Sequence, residues 1–75
     1  MEDLEVNIVQ RGNLLSGQIK VGVNRLSDAL PALEKELKGR QFDEIGIDVV
    51  VRAGPDDESS VYFDNLQVLR TFLSV

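Results

Sequence analysis

Two runs rich in β-branched and aromatic residues, 45–52 (Ile-Gly-Ile-Asp-Val-Val-Val-Arg) and 61–69 (Val-Tyr-Phe-Asp-Asn-Leu-Gln-Val-Leu), constrain this chain more than any other feature. Between them lies Gly54-Pro55-Asp56-Asp57-Glu58-Ser59-Ser60, where turn-forming residues and three consecutive acids favour a solvated loop. The spacing predicts an antiparallel pair of strands, the second beginning at Val61. In the first of them Ile45, Ile47, Val49 and Val51 share one face, while Gly46, Asp48, Val50 and Arg52 share the other.

The same period-two pattern opens the chain. Leu4, Val6 and Ile8 alternate with Glu5 and Asn7, which predicts a strand over 4–10. Arg11-Gly12-Asn13 suits a short hairpin turn, and a second strand follows over 15–23 with Leu15, Ile19, Val21 and Val23 on one face. Gly17 and Gly22 within it mark a bulge or a close approach of backbone. Near Asn24 the period changes to that of a helix, because Leu26, Leu30, Leu33 and Leu37 recur at spacings of four, three and four. The helix is expected over 28–38, capped by Ser27 or Asp28, with Pro31 in its first turn and Gly39 just past its end.

The last dozen residues carry two patterns. Asp64-Asn65-Leu66-Gln67 has capping-box spacing, and Leu66, Leu69 and Leu73 fit a helix from Asn65. Val68, Thr71, Phe72 and Val75 favour a strand instead, and strand is the expectation. The chain therefore reads as a single small α+β domain over 1–75, ordered β-β-α-β-β. Its sheet is mostly antiparallel, with one helix on the apolar face. The alternative is half of a jelly-roll β-sandwich, completed by dimerisation.

Composition then narrows the function. With 75 residues there is room for one core and no deep cleft. Eight basic against thirteen acidic residues give a net charge of −5 without a basic cluster, so neither nucleic acid nor a membrane surface is an expected partner. No apolar run approaches the roughly 18 residues that span a bilayer, and Met1-Glu2-Asp3 is unlike a signal peptide. Histidine and cysteine are both absent, which removes the commonest general base, the soft metal ligands and the thiol nucleophile together. Catalysis is not expected.

Binding is the function class that remains. Tyr62 is the best-placed flat ring for stacking on a sugar, with Gln67 as a neighbouring polar contact, whereas Phe63 points the opposite way, into the core. Asp64, set between Phe63 and Leu66 in a strand expected to be buried, would need a partner or an ion and is the candidate metal ligand. A cap, or an edge position open to water, is the alternative for it.

Phe42-Asp43-Glu44-Ile45-Gly46-Ile47 and Ser60-Val61-Tyr62-Phe63-Asp64-Asn65-Leu66-Gln67-Val68 resemble the closing strand pair of β-sandwich carbohydrate-binding modules attached to secreted glycoside hydrolases, including some mannanases. The resemblance spans residues 42–68, and 4–23 is similar to an earlier hairpin of that architecture. It implies polysaccharide as ligand, an extracellular location and a structural calcium at Asp64. Acidity, small size and a free strand edge equally fit a second class, a protein-interaction domain such as an inhibitor, immunity or assembly protein that meets a basic partner. A designed or recombined scaffold without a ligand is a third reading.

Overall fold

The computed structural model describes residues 4–74. Met1, Glu2, Asp3 and Val75, which entered the readings of the two chain ends, lie outside the described residues. In chain order the elements are β1 (Leu4–Arg11), β2 (Leu14–Gly22), a 3-10 turn (Val23–Arg25), α1 (Leu26–Leu37), β3 (Glu44–Gly54), β4 (Asp57–Phe63) and α2 (Leu66–Leu73). The fold is α+β: one four-stranded sheet in the order β1-β2-β3-β4, with helices packed on one face.

Alternation sets the register. β1 and β2 pair antiparallel from Leu4 opposite Val21 to Arg11 opposite Leu14. β3 and β4 pair antiparallel from Ile47 opposite Phe63 to Gly54 opposite Asp57. The central seam differs, because β2 and β3 run parallel, from Leu14 beside Glu44 to Gly22 beside Arg52. A chain that returns in the same direction needs a long crossover, and α1 supplies it. The two outer seams are antiparallel as expected, and the helix that separates the hairpins imposes the parallel one.

Leu15, Ile19 and Val21 of β2, Ile45, Ile47 and Val49 of β3, and Phe63 of β4 form the covered face. Ala29, Leu33 and Leu37 of α1 and Leu69 and Leu73 of α2 bury against them in one core. Val23, expected on that face, has left the strand for the 3-10 turn and is exposed. At Gly17 the strands press together. An added Cβ there would stand 2.0 Å from the Asn7 carbonyl oxygen, so the position admits hydrogen only.

α1 starts earlier than its caps predicted. Arg25 occupies the N-cap without a side-chain hydrogen bond, while Ser27 and Asp28 lie inside the first turn. Pro31 consequently falls in the second turn, where its missing N–H removes one helical hydrogen bond. Gly39 takes the left-handed conformation just past the helix, with φ of 79°.

The C-terminal segment corrects the strand expectation. Residues 66–73 are helix α2, because Leu69 and Leu73 enter the core on one stripe and Asn65 caps the first turn, its Oδ1 accepting from the Val68 amide at 3.1 Å. Arg70 ties α2 to α1 through two hydrogen bonds to Glu34, 2.6 Å from Nε to Oε2 and 2.9 Å from a terminal nitrogen to Oε1. This bond and the nearby charge hold the Arg70 guanidinium above its ordinary value. With α1 and α2 over the apolar face, the half-sandwich alternative is not the architecture this chain builds.

β4 is also longer than its composition suggested. It begins at Asp57, so the turn shrinks to Pro55-Asp56, with an irregularity in the pairing between Arg52 and Gly54. Of the acids read as loop, Asp57 and Glu58 are strand and Asp56 stays in the turn.

Candidate functional site

The order of strands leaves β4 at one edge of the sheet, paired on one side only with β3. Every side chain from Asp57 to Tyr62 is exposed, and only Phe63 is buried. Successive residues alternate between faces. Ser59, Val61 and Phe63 therefore face the helices, while Glu58, Ser60 and Tyr62 face the uncovered side. Along the free edge the amides and carbonyls that do not point to β3 meet no other strand.

At the C-terminal end of that edge α2 turns back over Phe63 and opens a shallow cleft. Its walls are Phe63, Gln67, Val68, Thr71 and Phe72, and it encloses about 360 Å3. Phe63 and Phe72 form its floor with ring centroids 5.1 Å apart and planes tilted by 47°. Val68 is 54% exposed on its rim and Val61 is 40% exposed beside it. Thr71 turns its hydroxyl back to the Gln67 carbonyl at 3.0 Å, so it adds little polarity to the cleft.

Acids stand at both ends of the edge. Asp56, Asp57 and Glu58 lie at its start and Asp64 just past its end, all exposed. Glu58 faces Arg52, with Nε 3.1 Å from Oε2 but out of line for a hydrogen bond. Among the described residues, no cation lies within ion-pairing distance of Asp56, Asp57 or Asp64.

The expected site residues do not converge. Gln67 lines the cleft on the helix side, whereas Tyr62 lies on the opposite face of the sheet, 63% exposed. There the Tyr62 ring leans across Gly46, close enough that a Cβ on Gly46 would meet its hydroxyl at 2.6 Å. Asp48 is directly opposite Tyr62, and Gln18 and Asn7 continue the row across β2 and β1. The outcome is a flat polar strip carrying one aromatic ring.

Asp64 is exposed in the bend between β4 and α2. The burial that made it a calcium candidate is absent, and among the described residues no three acidic side chains gather into a group able to hold a metal ion. A second cavity, about 500 Å3, lies at the far end of the sheet between the 3-10 turn and the β3–β4 turn. Its arginines are already engaged, Arg25 with Asp28 at 3.1 Å and Arg52 with Glu58. No helix among the described residues is long and apolar enough to cross a membrane.

The cleft is the feature that reading the sequence missed. It exists only because residues 66–73 are helical and fold Val68 and Phe72 beside Phe63. The signal was present in the capping-box spacing of 64–67, although the cap is Asn65 and not Asp64, and in the spacing of Leu66, Leu69 and Leu73. Comparison with family models, with curated proteins and with solved structures finds no match to this chain.

Proposed function

We propose that the chain is a non-catalytic interaction domain that binds a basic protein partner. The observation that carries this reading is the β4 edge, where unpaired backbone, an apolar cleft and uncompensated acids lie side by side. Apolar contact provides adhesion, and the acids accelerate and select the encounter with a basic surface. The net charge of −5 acts in the same direction.

A second reading keeps the carbohydrate-binding role implied by the resemblance. It is favoured by Tyr62, whose ring leans over Gly46 in line with Asp48, Gln18 and Asn7, as stacking and hydroxyl recognition of a sugar require. It involves the opposite face and a different residue, so one set of variants separates the two.

The test is affinity capture from the producing cells on the immobilised chain, followed by affinity electrophoresis of the free chain through soluble polysaccharides. Basic proteins should be retained at about 0.1 M salt and released near 1 M, where the screening length falls to roughly 3 Å. The triple variant Asp56→Lys, Asp57→Lys, Asp64→Lys should lose them. Equal capture by wild type and variant overturns the interaction reading. Retardation by a polysaccharide that disappears in Tyr62→Ala would install the second reading in its place.

A further inference from the structure

We infer that the partner joins by adding an antiparallel strand to β4, anchored by apolar side chains in the Phe63–Val68–Phe72 cleft and by basic side chains against the acids at the start of β4. This rests on the interaction reading and specifies its geometry. Two observations fix the occupant. The edge offers seven residues of strand, Asp57–Phe63, with a free side. An added strand completes those unpaired backbone groups while its alternate side chains reach the helix side. Chemistry is polarised along the edge: the apolar cleft lies at the Phe63 end with Asp64 alone beside it, while Asp56, Asp57 and Glu58 gather at the start.

Direction follows from that polarity. An antiparallel strand begins opposite Phe63 and ends opposite Asp57. Its helix-side residues meet Phe63, Val61, Ser59 and Asp57 in turn, so the favoured partner carries apolar residues early and Lys or Arg late. A second copy of this chain fits poorly. Two β4 strands paired about Ser60 would bring Asp56 of each opposite Asp64 of the other, as 56 and 64 are equidistant from 60. The charges that attract a basic strand repel this one.

The probe is the peptide Leu-Thr-Val-Thr-Lys-Thr-Lys, capped at both ends, with its reversed sequence as control. Binding is followed by titration calorimetry and by amide hydrogen exchange on the full chain. The forward peptide should bind at least tenfold more tightly than the reversed one and protect alternate amides of β4. Val68→Asp alters an exposed rim residue and should weaken binding at least tenfold. If that variant melts early, Asp57→Lys gives the independent comparison and should produce a similar loss.

Binding without protection of β4 overturns strand addition, and equal affinity for the two peptides overturns its antiparallel direction; either result leaves a basic partner in place. Failure of both peptides and of polylysine overturns the interaction reading as well. Protection of β4 that appears with protein concentration alone, at about 0.1 M salt, makes a second copy the occupant and overturns the proposal.

Discussion

Gly17 and Gly46 both sit inside strands, and a methyl group would meet a different neighbour at each. At Gly17 the obstacle is backbone, the Asn7 carbonyl oxygen at 2.0 Å, and φ is +155°. Neither yields without parting β1 from β2. Gly17→Ala should therefore cost about 2–4 kcal/mol in urea denaturation, combining backbone strain with a core displacement. At Gly46 the obstacle is the far end of an exposed tyrosine, which can rotate aside. Gly46→Ala should cost less than about 1 kcal/mol and shift the Tyr62 ring resonances. Equal costs at the two sites would show that Tyr62 is held, not merely leaning. The outward Tyr62 and inward Phe63 were legible, because alternation in a strand leaves little choice. Asp64 was not, since one residue past the strand alternation no longer assigns a face.

At the level of elements, the strands and α1 followed from period alone, whereas α2 did not. Val68, Thr71 and Phe72 have strand-like side chains, and over eight residues Leu69, Thr71 and Leu73 match period two as well as Leu66, Leu69 and Leu73 match a helix. Core burial of Leu69 and Leu73 and the cap at Asn65 decide the matter. Asn65→Ala should lower stability by about 1 kcal/mol, with faster amide exchange confined to the first turn of α2. An unchanged unfolding midpoint would mean that packing alone holds the helix. The start of β4 failed for a related reason. Charges were read as a loop signal, yet on an edge strand charged side chains deter indiscriminate pairing and are compatible with β structure. The strand reading of 66–73 hid the cleft, and the loop reading of 57–60 hid the acidic start of the edge.

Asp56, Asp57 and Asp64, none of them in an ion pair among the described residues, flank the β4 edge of the sheet. At about 0.1 M salt the chain should sediment as a monomer across a concentration series, because self-pairing at β4 opposes like charges. Raising salt toward 1 M should promote association, and association strongest at low salt would refute the repulsion argument. The parallel seam has a further consequence, in time rather than space. During synthesis β1, β2 and α1 leave the ribosome before any residue of β3, so the inner edge of β2 waits unpaired beside a core still lacking Ile45, Ile47 and Val49. Translation at roughly 5–20 residues per second makes that interval a matter of seconds or less. In that interval the central strand of the finished sheet is itself an open edge, and the nascent half depends on the prompt arrival of its second hairpin.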